Sequence, residues 1–100
     1  MEMVGGITVS PLEVEALLRT HPAVRDVAVV AVTDERGASK LRAFVIPVPP
    51  IAVGLEAELI RMARDKLAAF KVPRSVSFVP TLPRTATGKL RRHLVRQGAW

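Results

Sequence analysis

The stretch Val27–Val32, VAVVAV, is apolar at every position and consists mainly of β-branched valine. Such a run is typical of a strand that is covered on both faces, so we expect it to form the central strand of a buried sheet. Leu41–Val48, LRAFVIPV, predicts a second strand after the polar turn Thr33–Gly37. Pro47 should end the pairing of that strand or place it at an edge. The two segments together predict a hairpin-like pair.

Helical patterns lie on either side of this pair. Ser10, Pro11 and Glu13 predict a helix start, in which Ser10 is the N-cap and Glu13 reaches back to complete a capping box. A second amphipathic helix is indicated by apolar residues at helical spacing, namely Leu55, Leu59, Met62, Ala63 and Leu67.

The C-terminal third predicts one more strand and one more helix. Ser75–Val79 alternates like a half-exposed strand, Pro80–Gly88 is typical of a loop, and Leu90–Gln97 predicts a short basic helix. The order of elements is a β-turn, α, β, β, α, β, loop, α. It predicts one α+β domain with a small, mainly three-stranded sheet and flanking helices.

Charge is distributed unevenly along the 100 residues, whose net charge is +6. Residues 1–60 carry five Lys or Arg against eight acids, whereas residues 61–100 carry ten against one. This asymmetry indicates a polyanionic partner for the C-terminal part, either nucleic acid or a nucleotide cofactor, unless the charge only solvates a surface. Because the sequence has no cysteine, no signal-peptide pattern and no apolar run of membrane-span length, we expect a cytoplasmic protein without a membrane span.

The pair Gly88-Lys89 raises the question of a phosphate-binding loop. A Walker loop needs GxxxxGK followed by Ser or Thr, but here Pro83 replaces the first glycine and Leu90 follows the lysine. What remains is either an ordinary loop lysine or a mobile cation suited to a carboxylate and a phosphate. The two histidines lack the spacing of a metal pair, so no metal site is expected. The basic half lacks interleaved aromatics and any nucleic-acid signature, so no nucleic acid is expected as partner.

Both ends of the chain resemble the C-terminal domain of AMP-forming acyl-CoA synthetases, which belong to the adenylate-forming enzymes. Gly5–Glu15, GGITVSPLEVE, resembles the GGxxVSPxEVE segment that opens that domain, and Leu82–Arg92, LPRTATGKLRR, resembles its closing LPRTxTGKxxR segment. His21–Val24 and Phe70–Pro73 fall between them in the family's order. The resemblance identifies residues 4–97 as the C-terminal (lid) domain of an AMP-dependent synthetase or ligase, whose large N-terminal domain is absent.

The resemblance implies a two-step reaction. ATP and a carboxylic acid would give an acyl-adenylate and pyrophosphate, and the thiol of CoA would then displace AMP. The N-terminal domain, the partner that this resemblance implies, would bind ATP, the Mg²⁺ expected with it and the acid, so the domain alone is expected to be inactive. The small domain would rotate between two poses. Lys89 would be the catalytic residue of the first pose, and Gly5 and Gly6 would line the pantetheine path in the second.

The same resemblance implies where the nucleotide of CoA binds. By position, Arg64, Phe70, Lys71 and Arg74 match places that hold it, with Phe70 stacking on adenine. Val72 stands where some relatives carry an arginine, so no single relative's pattern is copied in full.

Several alternatives stay open from the sequence. The chain could instead be an adenylation-domain fragment that loads a carrier protein, or, in a different class, a basic nucleic-acid-binding or interaction module. Arg91 and Arg92 are either functional cations or an exposed helix face. Met3 replaces a lysine that is usual in the family, so the role of that lysine is not carried over. The resemblance also implies a regulatory partner, a lysine acetyltransferase or deacetylase acting on Lys89.

Overall fold

The computed structural model describes the backbone of residues 2–4, 7–33 and 35–98 and the side chains of residues 9–33 and 35–98. The elements in chain order are β1 (Glu2–Val4), β2 (Ile7–Val9), α1 (Pro11–Arg19), β3 (Val24–Thr33), β4 (Ser39–Pro47), α2 (Leu55–Lys66), a 3₁₀ turn (Ala69–Lys71), β5 (Ser75–Phe78) and α3 (Arg92–Gln97).

Strands β3, β4 and β5 form the main sheet in that order, and β1 and β2 form a separate antiparallel pair. β4 pairs antiparallel with β3 and parallel with β5, and the crossover between β4 and β5 runs through α2. The three-stranded α+β sheet is as predicted, but the expectation that Val27–Val32 would be its central strand is wrong. Its continuous apolar run reflects cover on both faces, and hydrophobic periodicity does not report which strands lie beside it.

Alternate side chains of β3 enter two separate apolar clusters. Val27 and Val29 pack in the larger cluster together with residues of α1 and α2. Ala28 and Val30 point to the other face, where they meet Val95 of α3. The partly buried members of this second cluster are Val32, Val79, Leu82 and Leu90. The sheet is therefore the middle layer, and the loop after β5 is fastened to it by its own apolar side chains.

Helix α1 begins at Pro11 as predicted, but the capping box does not form. Ser10 makes no side-chain hydrogen bond to the helix N-terminus. Glu13 instead accepts hydrogen bonds from Lys71 Nζ at 3.1 and 3.0 Å. A full positive charge attracts a carboxylate more strongly than a neutral backbone N–H does, so a residue 58 positions away wins over the local partner.

The remaining elements agree with the patterns. β5 is half-buried, with Val76 as its one buried residue. α3 is short and basic but begins at Arg92 rather than at Leu90, because Leu90 still belongs to an extended pairing with Arg84. None of the described helices is long and apolar enough to cross a bilayer.

Candidate functional site

Lys89 lies at the end of a small hairpin. Arg84 and Leu90 form an antiparallel bridge, and the N–H of Thr85 donates to the carbonyl of Lys89 at 2.8 Å. The N–H of Gly88 closes the turn on the carbonyl of Thr85 at 2.9 Å. Gly88 has a φ of +89°, a left-handed conformation that glycine adopts without steric cost. The glycine therefore shapes the turn that presents Lys89.

The backbone of Lys89 is fixed by hydrogen bonds, whereas its side chain is free. Thr85 Oγ1 accepts the N–H of Lys89 at 3.1 Å and lies 3.0 Å from Thr87 Oγ1. The side chain of Lys89 is exposed and has no partner within the described part of the chain. A flexible cation on a fixed backbone can reach an anionic group brought to it from outside the domain.

A guanidinium ties this hairpin to the sheet. Arg84 Nε and Nη2 donate to the two carboxylate oxygens of Asp26, at 2.9 and 2.8 Å. Its third nitrogen, Nη1, donates to the carbonyl of Gly88 at 2.9 Å. Asp26 also accepts the backbone N–H of Val27 at 2.8 Å and a hydrogen bond from Arg19 at 3.2 Å.

These contacts change the acidity of Asp26. Partial burial alone would raise the pKa of its carboxyl group, but the hydrogen bonds from Arg84, Val27 and Arg19 and the charge of Arg84 outweigh burial and lower that pKa below its usual value. Asp26 is therefore a firmly ionised anchor.

Arg92, for which the sequence left a surface role open, makes a buried ion pair. Its guanidinium binds both oxygens of Glu15, at 2.6 and 3.0 Å, and the carbonyl of Val29 at 2.9 Å. Glu15 is only 3% exposed and also accepts the N–H of Val29 at 2.7 Å. One carboxylate thus joins α1, β3 and α3, so Arg92 has a structural role in this domain. Arg91 beside it is exposed.

A groove of about 380 Å³ runs beside Lys89. Its lining residues are Leu12, Glu15, Arg19, Arg84, Gly88, Lys89, Leu90 and Arg92. Arg19, Arg84 and Arg92 are paired with carboxylates, whereas Lys89 is not. Lys89 is therefore the cation of this groove whose charge is not already paired and can bind an anionic ligand.

Three of the four residues predicted for the nucleotide of CoA, namely Arg64, Phe70 and Arg74, form a second region. Arg64 and Arg74 line one groove of about 470 Å³, and Arg74 and Phe70 line a neighbouring one of about 240 Å³. Lys40 lines the second groove as well, although the sequence did not single it out. Its position follows from the parallel pairing of β4 with β5, because the N–H of Arg74 donates to the carbonyl of Leu41 beside it. No sequence pattern signals a contact set by that long-range pairing.

Lys71 lies beside this region, with its ammonium 5.7 Å from the centre of the Phe70 ring, but it is paired with the carboxylate of Glu13. By contrast Lys40, Arg64 and Arg74 have no carboxylate partner among the described side chains. Lys40, Phe70, Arg64 and Arg74 are called the cation–aromatic surface below.

The lysine hairpin and the cation–aromatic surface line separate grooves that share no residue. The hairpin packs by Leu82 and Leu90 on the α3 side of the sheet, and its groove also borders α1, whereas the cation–aromatic surface adjoins Val72. They also lie at opposite ends of the sheet. The hairpin is tied to Asp26 next to the end of β4, while Lys40 lies at its beginning. Gly5 and Gly6, predicted for the pantetheine path, lie outside the described residues.

Comparison with known proteins gives consistent matches. The family model described as AMP-binding enzyme C-terminal domain matches residues 13–89. Acetate–CoA ligase CCL3 of Humulus lupulus is 44% identical over 99 residues, which cover 95% of this chain and 17% of that protein. The p-hydroxybenzoic acid–AMP ligase FadD22 of Mycobacterium marinum is 41% identical over 99 residues, covering 95% of this chain and 14% of the relative.

A solved structure is also closely similar. The anthranilate CoA ligase AuaEII in complex with anthranoyl-AMP superposes with a TM-score of 0.91 at 42% identity, over 99% of this chain and 20% of that one. The chain thus spans less than a fifth of the length of the two curated relatives.

Proposed function

The chain belongs to the family of AMP-binding enzyme C-terminal domains, and on that basis we propose that it serves as the C-terminal domain of an acyl- or aryl-CoA ligase. Such a ligase joins a carboxylic acid to ATP, releasing pyrophosphate, and the thiol of CoA then attacks the acyl-adenylate and releases AMP. The similarity to an acetate–CoA ligase and an anthranilate CoA ligase supports this reaction class.

Lys89 is the residue that we assign to the first step, and its presentation on the anchored hairpin is the observation that carries this proposal. An acid attacks the α-phosphate of ATP as negative charge builds up on the phosphate oxygens. A lysine ammonium aimed at those oxygens stabilises the charge and costs little reorganisation if its backbone is already held. The hydrogen bonds of Thr85 with the main chain of Lys89 supply that fixation.

The cation–aromatic surface fits the nucleotide end of CoA in the second step. Lys40, Arg64 and Arg74 have unshared positive charge, which suits phosphate groups. Phe70 is 39% exposed and offers an apolar ring to adenine. Lys71 is a weaker candidate than the sequence implied, because Glu13 already neutralises it. Gly5 and Gly6 keep their proposed place along the pantetheine path.

The separation of these two regions supports a two-pose cycle. A single active site can use both only if the domain presents first the lysine hairpin and then the cation–aromatic surface at the other end of the sheet. The proposed partner is therefore the large N-terminal domain of the same enzyme, which would bind ATP with its Mg²⁺ and most of the acid. On this proposal residues 4–97 form the lid domain and have no ligase activity alone.

The test separates the two half-reactions in the ligase that carries this domain. Lys89→Ala should lower ATP–pyrophosphate exchange about 10²–10³-fold, the effect of removing one preorganised electrostatic group. Formation of acyl-CoA from a supplied acyl-adenylate should change little. Lys66→Ala is the matched control, because Lys66 is another exposed lysine at the end of α2. Equal losses in both half-reactions for Lys89→Ala would contradict the assignment.

The cation–aromatic surface has its own test. Arg74→Ala should raise the KM for CoA about tenfold, since a charge-assisted hydrogen bond contributes about 1.5 kcal/mol. Lys71→Ala should raise it less, and neither variant should change ATP–pyrophosphate exchange. A larger effect of Lys71→Ala than of Arg74→Ala would reverse our view of which cations face CoA.

A carrier-protein acceptor is a second candidate, favoured by the similarity to a p-hydroxybenzoic acid–AMP ligase, whose name includes no CoA. Comparing free CoA with a carrier-bound pantetheine thiol as acceptor decides between them. If the enzyme acylates only the carrier-bound thiol, the carrier protein replaces CoA as the acceptor in this proposal.

The proposal also includes location and regulation. The enzyme would work in the cytoplasm with nucleotide cofactors rather than nucleic acid. Acetylation of Lys89 by an acetyltransferase, reversed by a deacetylase, would remove the charge that adenylation uses. An enzyme acetylated at Lys89 that still exchanges pyrophosphate at the normal rate would contradict this.

A further inference from the structure

Asp26 lies 63 positions before Lys89 but is connected to it by one side chain. The Arg84 guanidinium is planar and has fixed donor directions. Two of its nitrogens bind Asp26 at 2.8 and 2.9 Å, and the third binds the carbonyl of Gly88 at 2.9 Å. Gly88 immediately precedes Lys89, so the orientation of that peptide is set from the sheet.

The sheet itself is irregular where it supplies this carboxylate. The pairing of β3 with β4 shifts register between Val24, which pairs with Pro47, and Asp26, which pairs with Ile46. A bulge of this kind inserts an extra residue, bends the strand and re-aims neighbouring side chains. Here it accompanies a carboxylate directed at the loop after β5 rather than at water.

The carboxylate is held from several directions. Besides Arg84, the backbone N–H of Val27 and the guanidinium of Arg19 contact it, and its side chain is only 22% exposed. Asp26 therefore cannot rotate freely with the hairpin. The connection therefore runs from a carboxylate fixed on the sheet to the turn that presents Lys89.

We propose that Asp26 is a positioning residue for adenylation, which acts through Arg84 to fix the peptide before Lys89 and hence the direction in which Lys89 leaves the domain. This inference rests on the proposed function of Lys89 and goes beyond it. The hairpin also packs on the sheet through the apolar side chains of Leu82 and Leu90, at its two ends. The hydrogen bonds between Thr85, Gly88 and Lys89 preserve the shape of the turn. The contact of Arg84 with Asp26 is directional, and it connects the turn peptide of Gly88 to the sheet.

A small change in the direction of the Lys89 side chain should slow adenylation strongly. A misplacement of about 1 Å of a catalytic group can lower a rate about 10²-fold. Neutralising Asp26 keeps one oxygen acceptor but removes the charge and the second acceptor for Arg84. We therefore expect Asp26→Asn to lower ATP–pyrophosphate exchange by about 10-fold to 10²-fold. Thioester formation from a supplied acyl-adenylate should stay within twofold of wild type, because that step does not use Lys89.

The experiment uses four variants of the ligase that carries this domain. Asp26→Asn and Arg84→Lys break the connection from either side, since a lysine cannot bind Asp26 in a fork and reach Gly88 together. Asp26→Glu restores the charge and should recover part of the lost rate. Glu58→Gln is the matched control, because it neutralises an exposed carboxylate that pairs with His21 away from the hairpin. Acetate, benzoate, p-hydroxybenzoate and anthranilate serve as test acids.

A second readout needs no activity. Amide hydrogen exchange by NMR on the 100-residue chain should show faster exchange at Gly88 and Lys89 in Asp26→Asn than in Glu58→Gln. The N–H of Val29, bonded to Glu15 in the core, should be unchanged in both. A merely structural role of Asp26 would instead accelerate exchange throughout and lower both half-reactions.

The outcomes separate the two proposals. If the wild-type enzyme forms no acyl-adenylate from any test acid, the proposed function fails, and the role of Asp26 in adenylation fails with it. If the wild type is active and Asp26→Asn exchanges pyrophosphate as fast as Glu58→Gln, only the positioning role is overturned. An equal loss of both half-reactions, or unchanged amide exchange at Gly88 and Lys89, overturns it as well.

Discussion

Replacing Arg92 with alanine should destabilise this domain far more than the usual surface substitution. The change removes the hydrogen bonds of the guanidinium to both carboxylate oxygens of Glu15 and to the carbonyl of Val29. It leaves the carboxylate of Glu15, whose side chain is 4% exposed, with a hydrogen bond from the N–H of Val29 but without its charged partner. Breaking a buried ion pair from one side costs about 3–5 kcal/mol, because the remaining charge stays out of water.

The partial exposure of Arg92 places the expected loss of unfolding free energy at the lower end of that range. Its side chain is 24% exposed, so water can enter part of the vacated space and we take about 3 kcal/mol. For a domain of this size that corresponds to a fall in Tm of roughly 12–24 °C. Urea unfolding of the 100-residue chain, followed by circular dichroism, measures the loss directly.

Two further variants make the reasoning refutable. Arg91→Ala removes a neighbouring exposed arginine and should change the unfolding free energy by less than about 0.5 kcal/mol. The double variant E15Q/R92A removes the stranded charge while keeping an acceptor for Val29, so it should be more stable than R92A alone. Equal losses for R92A and R91A, or a double variant no more stable than R92A, would show that the buried carboxylate is not what makes Arg92 important.

Three further predictions concern the lysine hairpin and the basic half. Gly88→Ala should lower the free energy of unfolding by about 1 kcal/mol, because alanine is strained at the left-handed φ of this position. An added methyl group would meet no atom within 4 Å, so no steric clash contributes. Thermal unfolding measures the effect, and an unchanged Tm would contradict it. The pKa of Asp26 is lower in the folded state, so its ionised form adds stability above pH about 4 that is lost as the pH falls further. Asp26→Asn should therefore be less stable than wild type at pH 7, and urea titrations should show that difference shrinking below pH 4; a constant difference would argue against the ion pair. The chain should not bind duplex DNA with salt-dependent, low-micromolar affinity in a fluorescence titration, and such binding would favour the nucleic-acid module.

Much of the fold could be predicted because it depends on local patterns. Val27–Val32 indicated a strand by its continuous apolar run, Ser75–Val79 indicated one by alternation, and Pro11 marked a helix start. Strand order could not be obtained in this way, since pairing of β4 with both neighbours is decided by packing between distant segments. The capping box at Ser10 was wrong for the same kind of reason, because Lys71 offers Glu13 a charged partner.

The candidate site shows the same limit. Lys89 could be singled out from Leu82–Arg92 and its resemblance to a family motif, and the loop that presents it was expected. Lys40 and Asp26 carry no motif of their own. Their positions depend on the parallel strand pairing and on a bulge, which the local sequence does not determine.

The long-range ion pairs have a consequence for how the domain folds. Asp26–Arg84 joins residues 58 positions apart and Glu15–Arg92 residues 77 apart. Closing loops of this length costs chain entropy before the contacts repay it, so topologies rich in such contacts fold slowly. During synthesis from the N-terminus the sheet strand and helix that bear both acids emerge long before their arginines. Lys89 therefore acquires its native setting late in folding. A chain that lacks residues 91–100 would keep the Asp26–Arg84 contact but lose the pair of Arg92 with Glu15 that joins α1, β3 and α3.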